Sequence, residues 1–381
     1  MLSIWQRTAF HSDPHLAVVG GGIVGLFTAL HYQRRHPDHR VLVLERGPFP
    51  SGATVKNAGF ACFGSPSELL ADLDKEGADA MLRRVEERYR GLCELRAELG
   101  DDAIGFEPTG GHEVYPLHDP LYTQVAERFD ALNALLSPLF KAPVYRWNPT
   151  GFAATGMQGP AHMASNDLEG AVDSGLLVRA LLAKVAEAGV LVRTMSEVVG
   201  FEEGSQAVLL RLADGTEIHA ANVVVATNAW TRQLLPDVEV APARGQVVLT
   251  EPIPGLALRG TFHVKEGFYY FRDHHGAVLL GGGRELDFAA ETTWEEGFTP
   301  VVQDALENLL RTLILPGRAV RIAHHWSGIM GMGPTKAPVV QRSSPRVVAA
   351  VRLGGMGVAI GIRVARQAAE LVGDRAETVS A

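Results

Sequence analysis

Three groups of residues have the types and spacing to do chemistry. The first is Gly20-Gly21-Gly22-Ile23-Val24-Gly25, with the acid Glu45 lying 20 residues beyond Gly25. This is the G-x-G-x-x-G spacing with a trailing carboxylate, the pattern that cradles a dinucleotide. Gly20 allows a tight turn, Gly22 lets the backbone approach a pyrophosphate, and Gly25 lets a helix lie close on its strand. Ile23 and Val24 open that helix, whose free N–H groups and positive dipole end face the phosphates. Glu45 accepts hydrogen bonds from ribose hydroxyls and repels a 2′-phosphate, and Arg46 beside it counts with the cofactor residues. The second group is Tyr269-Tyr270-Phe271-Arg272. On a strand, Tyr270 and Arg272 share a face, and an aromatic wall beside a guanidinium suits a substrate that carries a carboxylate. The third group is two arginines at glycine turns, Arg284 after Gly281-Gly282-Gly283 and Arg352 before Gly354-Gly355.

The glycine fingerprint alone does not choose between NAD and FAD. Three later segments bear on the choice: Ser51-Gly52-Ala53-Thr54-Val55-Lys56-Asn57-Ala58-Gly59-Phe60, Asn222-Val223-Val224-Val225-Ala226-Thr227-Asn228-Ala229-Trp230 and Leu353-Gly354-Gly355-Met356-Gly357-Val358-Ala359. In this order and spacing they resemble the D-amino-acid oxidase family, which includes glycine oxidase, sarcosine oxidase and γ-glutamylputrescine oxidase. The resemblance covers nearly the whole chain and implies non-covalent FAD. It sets Thr54, Asn57, Ala58 and Gly59 along the flavin, and it counts Val198, Ala226 and Thr227 with the dinucleotide. Gly354, Gly355, Met356, Gly357 and Val358 would form the turn and helix start beneath the flavin ring. Bare N–H groups there would stabilise the negative charge of the reduced ring without moving. Arg352 adjoins that turn and is therefore the first choice for the substrate carboxylate, within a candidate set of Tyr270, Arg272, Arg284 and Arg352.

The activity implied is oxidation of a small amine or amino acid, by hydride transfer to flavin N5, to an imine that water hydrolyses. Two departures matter. Some relatives attach flavin through a late cysteine or an early histidine, but this chain has no cysteine after Cys93 and has Lys56 in the first flavin loop. The oxygen-activating lysine of sarcosine-type relatives is not evident in 277–283, so the electron acceptor stays open between oxygen and another molecule. Asn228 stands where glycine is common, and Lys336 where many relatives have an aspartate-glycine pair. Rival readings are a flavin-dependent 2-hydroxy-acid dehydrogenase and a flavin-binding protein without turnover.

These residues need elements to hold them. Apolar runs at Leu16–Val19 and Val41–Leu44 read as buried strands around a helix from Ile23 to Arg35. Residues 48–59 read as loop, 67–82 and 85–99 as two helices, and 119–136 and 174–188 as two more. Short strands dominate from 190 to 226 and from 245 to 282, with a hairpin signal at Asp214-Gly215. Helices follow at 299–313 and 358–372. The expected architecture is α/β plus α+β: a Rossmann-type FAD-binding domain (13–80, 150–240 and 322–381) interleaved with a mixed-sheet substrate domain (81–149 and 241–321). With 35 basic against 43 acidic residues the net charge is −8, which argues against nucleic acid as a partner. No stretch approaches the ~20 apolar residues of a membrane span. No signal peptide is read at the start, and two cysteines make no disulfide framework, so the expected setting is the cytoplasm.

Overall fold

The computed structural model describes residues 3–10, 13–157 and 161–373. A six-stranded sheet runs in the order Val339–Ser344, Val347–Val351, Asn222–Val225, Leu16–Val19, Val41–Leu44, Leu191–Arg193. All its pairings are parallel except the first. Apart from the half-buried Asn222, its central strands are buried runs of Val, Leu and Ala, as a sheet covered on both faces requires. One face carries the helices Ile23–Arg35 and Gly357–Gly373, which share a core with Leu92 and Leu95 of the helix Ala78–Leu99. The other face is covered by a three-stranded antiparallel meander, Val198–Glu203, Val208–Leu212 and Glu217–Ala220.

An eight-stranded mixed sheet makes the second layer, in the order Ile322–Met332, Ala241–Thr250, Ala277–Gly282, Tyr269–His274, Thr261–Val264, Gly111–Pro116, Ala161–Asn166, Arg146–Trp147. Its two faces divide by strand alternation. Phe262, Phe271, Leu280 and Val248 point to a core closed by the helix Pro300–Leu309. On the opposite face the register aligns His263, Tyr270, Gly281, Val247 and Trp326 in one row across five strands. That row faces the loop around Ala58 and Phe60.

Some sequence expectations change. The break between the two long helices lies at Gly77 (φ 81°), giving Pro66–Glu76 and Ala78–Leu99, because a left-handed glycine stops a helix where apolar periodicity alone shows no stop. The loop 48–59 contains one helical turn, Ala53–Lys56. Ala161–Asn166 and Ile322–Met332 belong to the mixed sheet, although they were expected in the dinucleotide domain. They pair with Gly111–Pro116 and Ala241–Thr250, and a partner so distant in sequence leaves no local signal. No described helix is long and apolar enough to cross a membrane.

Candidate active site

One cavity runs from the carboxyl ends of the parallel strands to the row on the mixed sheet. Its nucleotide end is built from the glycine fingerprint. Gly20 has φ 112°, and a Cβ there would lie 2.6 Å from the Ala226 carbonyl oxygen. A Cβ on Gly25 would lie 1.9 Å from the Gly20 oxygen, so helix and strand can cross only without it. Glu45 is buried and fixed by two backbone donors: Gly21 N–H to Oε2 at 2.9 Å and Gly47 N–H to Oε1 at 3.0 Å. The Arg46 guanidinium lies over the Trp230 ring at 4.1 Å. Ile23 N–H donates to Thr54 Oγ1 at 3.1 Å, which joins the helix start to the loop 51–59. Asn57 stitches that loop together, donating to the Ala53 and Thr54 carbonyls and accepting from Gly59 N–H and the Ser174 hydroxyl. Asn228 adopts φ 50°, which asparagine tolerates better than most residues, and donates to the Ile329 carbonyl.

Of the expected cofactor residues, Gly20, Gly22, Ile23, Val24, Glu45, Arg46, Thr54, Asn57, Ala58, Val198, Ala226 and Thr227 line this cavity, as does the run from Gly354 to Val358. Gly25 and Gly59 stand behind it, Gly25 against Gly20 and Gly59 with its carbonyl taken by Val172 N–H and Arg272. Gly357 and Val358 open the last helix, where backbone N–H groups have no partner inside the helix.

At the other end the four candidates separate. The Tyr270 ring lies across Gly281, where a Cβ would sit 2.4 Å from it, and its edge meets Phe60. Burial pushes its hydroxyl up to about 12, against the opposing pull of Arg284. Arg284 follows two left-handed glycines, Gly282 and Gly283, and lines the cavity. Its guanidinium lies 4.8 Å from the Phe288 ring centroid and makes no hydrogen bond or ion pair among the described residues. Burial depresses its pKa, and Glu285 and Glu291 only partly oppose that.

Arg272 and Arg352 are placed elsewhere. Arg272 does share Tyr270's face, but its fork is bound to the carbonyls of Gly59 (2.9 Å), Val172 (3.0 Å) and Asp273 (2.9 Å), under the loop rather than in the cavity. Arg352 turns away with φ 65° and binds the carbonyls of Ala337 (3.1 Å) and Glu239 (2.9 Å), with Glu239 Oε2 at 3.2 Å. The partner that a cation beside the glycine turn requires is therefore Glu239, and Arg352 is not positioned to meet a carboxylate in the cavity.

Of the further cavity residues, Glu68 and His263 were not singled out from sequence. Lys336, whose role was open, binds Glu68 at 2.9 Å and Asp72 at 2.7 Å. Glu68 also pairs with the buried Arg88 at 3.1 Å. Burial raises the Glu68 carboxyl, but Arg88 and Lys336 overcome this and hold it at about 2. His263 lines the cavity beside them, and no local pattern marks it, since its place follows from pairing with Tyr270. Trp326 donates from Nε1 to the Lys56 carbonyl at 3.0 Å, and Lys56 itself pairs with Glu296. His112, Glu113, His274, His275, His324 and His325 lie outside the cavity lining.

Residues 15–371 match the family described as FAD dependent oxidoreductase. The chain belongs to this family. The FAD-dependent oxidoreductase is 27% identical over 279 residues to glycine oxidase of Geobacillus kaustophilus (strain HTA426), covering 70% of this chain and 69% of that protein. It is 25% identical over 394 residues to the probable oxidoreductase OrdL of Rhizobium meliloti (strain 1021), covering 93% and 82%. The structure of L-proline dehydrogenase from P. horikoshii superposes with a TM-score of 0.77 at 20% identity, covering 96% of this chain and 94% of that one, which shows a common fold. The cavity's donor set fits FAD: a Cβ-free approach at Gly20 and Gly22, open N–H groups at two helix starts, and a fixed carboxylate at Glu45.

Proposed function

We propose that this FAD-dependent oxidoreductase oxidises the carbon–nitrogen bond of a small amine that carries a carboxylate, an amino acid in the simplest case. The observation that carries this reading is Arg284, a permanent cation lining the cavity with no hydrogen bond or ion pair to a carboxylate among the described residues, Glu285 and Glu291 acting on it only through space. Such a cation is unfavourable unless a ligand supplies the counter-charge, and a carboxylate does so with two parallel hydrogen bonds. When bound, FAD supplies the acceptor for a hydride from the C–H beside the nitrogen. Arg284 anchors the carboxylate, and the Tyr270 ring, pinned over Gly281, walls the carbon skeleton. With its hydroxyl raised to about 12, Tyr270 stays protonated and donates a hydrogen bond rather than acting as a base. Water then hydrolyses the imine to a carbonyl compound and ammonia or a shorter amine. The glycine oxidase and L-proline dehydrogenase among the similar proteins support the substrate class. Non-covalent attachment goes with the same reading: Cys62 is buried and its thiol is pushed up by burial, while Lys56 is engaged by Glu296. A cytoplasmic setting and an acceptor that is oxygen or another small molecule complete the proposal.

The test is anaerobic mixing of the yellow holoenzyme with amino acids, simple amines and 2-hydroxy acids. Bleaching by carboxylate-bearing amines, with nitrogen released on hydrolysis, is the expected result. Bleaching by hydroxy acids alone replaces the reading with a 2-hydroxy-acid dehydrogenase. Bleaching by none of them refutes turnover of this class.

A further inference from the structure

The cavity carries a second charge without a contact partner, opposite in sign to Arg284. Glu266 is half-buried and lines the cavity, and its carboxylate makes no hydrogen bond or ion pair among the described residues. The cations near it are taken. Arg88 holds Glu68, Lys336 holds Glu68 and Asp72, and Arg84 holds Asp72 and Glu76. Lys265 lies toward the Tyr269 ring. Burial raises the Glu266 carboxyl above its ordinary value; Lys336 opposes this only through space, and Glu68 and Asp72 add to it. The backbone is also unusual here. Phe268 N–H donates to the Lys265 carbonyl at 2.9 Å, closing a turn whose two central residues, Glu266 (φ 54°) and Gly267 (φ 81°), are both left-handed. Such mirror-image turns favour glycine, asparagine or aspartate at the first central position. A glutamate there is a local misfit, of the kind that concentrates at functional sites.

Resting on the amine-oxidation reading, we propose that Glu266 is a specificity residue that takes the cationic end of a basic side arm, so that the substrate is an amino acid of the lysine or ornithine class with its carboxylate on Arg284. The fold brings the two charges to one end of the mixed sheet and keeps them apart. Gly283 N–H donates to the Phe268 carbonyl at 3.0 Å, with Glu266 two residues before Phe268 and Arg284 next after Gly283. Along that path the two Cα atoms are at most about 17 Å apart. Neither charge is among those that shift the other, so they do not neutralise each other across the cavity. Both side chains are long and close part of the span. A ligand with an anion at one end and a cation several bonds away bridges the rest and supplies both missing counter-charges. The reacting α-nitrogen cannot serve Glu266, because it lies next to the carboxylate and must be uncharged when the hydride leaves. A hydrocarbon arm leaves Glu266 unmatched, and an acidic arm is repelled by it.

The experiment compares lysine, glutamine, norleucine and glutamate, in both enantiomers, on the holoenzyme and on Glu266→Gln and Glu266→Lys. Binding is read from the flavin absorbance change, and turnover separately from anaerobic bleaching. In the parent enzyme lysine should bind roughly 10-fold more tightly than norleucine, and glutamate most weakly. Glu266→Gln keeps the size of the side chain and removes its charge, so it should abolish the lysine preference through KM more than kcat. Glu266→Lys should turn the preference toward glutamate. Norleucine, which makes no contact with the charge, should bind the parent and Glu266→Gln alike and so reports that the variant is folded and loaded with FAD. Equal binding of lysine and norleucine to the parent, or equal losses for both in Glu266→Gln, overturns the proposal. Tighter binding of glutamine or glutamate than of lysine to the parent also overturns it. A lysine preference that depends on Glu266 but comes without bleaching sinks the oxidation reading and leaves Glu266 standing. Bleaching without any arm preference does the reverse.

Discussion

Replacing Arg284 with methionine tests the carboxylate anchor directly. The substitution keeps an unbranched apolar stem against Phe288 and removes the fork. In the free enzyme the guanidinium has no hydrogen bond or ion pair among the described residues, and burial depresses its pKa against the partial pull of Glu285 and Glu291. Loss of the charge should therefore leave the stability of the unliganded protein unchanged or slightly improved. With substrate bound the balance differs. A charge-assisted hydrogen bond contributes about 1.5–3 kcal/mol, so Arg284→Met should raise the apparent dissociation constant of an amino acid about 10- to 150-fold. The amide of the same amino acid should change far less. The assay is rapid-reaction bleaching with matched acid and amide, alongside thermal unfolding. Equal losses for acid and amide, or a large drop in the stability of the free protein, would refute the assignment. Arg352→Met is the control. Its guanidinium binds Glu239 and two carbonyls, so the change should lower stability and leave acid-versus-amide discrimination intact.

Other expectations follow from single contacts. Glu45→Ala should weaken FAD binding by roughly 1–3 kcal/mol by fluorescence titration, since it also frees the Gly21 and Gly47 N–H groups. Gly25→Ala places a Cβ 1.9 Å from the Gly20 oxygen and should yield little folded, yellow protein, judged by flavin content per chain. Burial raises the Glu169 carboxyl from 4.5 to about 7, despite hydrogen bonds from Phe63 and Gly64 N–H. A raised folded-state pKa gives stability that is present below about pH 4.5 and lost as pH climbs to about 7, an effect of roughly 3 kcal/mol. His31, His112 and His263, pushed down to about 4 by burial, act in the opposite direction over an overlapping range. The difference between the parent and Glu169→Gln, followed by denaturant unfolding at several pH values, isolates the Glu169 contribution, and parallel curves would disprove it.

The cofactor end was legible in the sequence because its physics is local. A glycine turn, a helix start and an acid at the end of the next strand lie within one short stretch, and each residue type has one job there. The substrate end depends on where distant strands meet. Strand alternation placed Arg272 on Tyr270's face, but only the folded chain shows that the Gly59 and Val172 carbonyls occupy its fork. Arg352 was chosen for its nearness to the glycine turn, and its positive φ, which no neighbouring residue type signals, sends it to Glu239. His263 sits in a four-residue strand whose importance comes from being opposite Tyr270, a pairing fixed by the sheet rather than by spacing. The strands Ala161–Asn166 and Val339–Ser344 escaped notice for a related reason: both mix polar residues into short runs, without the apolar continuity of Leu16–Val19.

The packing of the last helix on the first also bears on how the protein is made. Thr28 Oγ1 bonds the Ala365 carbonyl across 337 residues of sequence, and Ile23 lies against Gly361. At a synthesis rate of about 5–20 residues per second, the glycine fingerprint emerges from the ribosome roughly 17 to 67 seconds before the helix that must cover it. During that interval the part of Ile23–Arg35 that packs on the last helix stays uncovered, and the glycine turn Gly354–Gly357 of the flavin cradle does not yet exist. The cradle for FAD is thus complete only once the last helix has been made and has packed on the first.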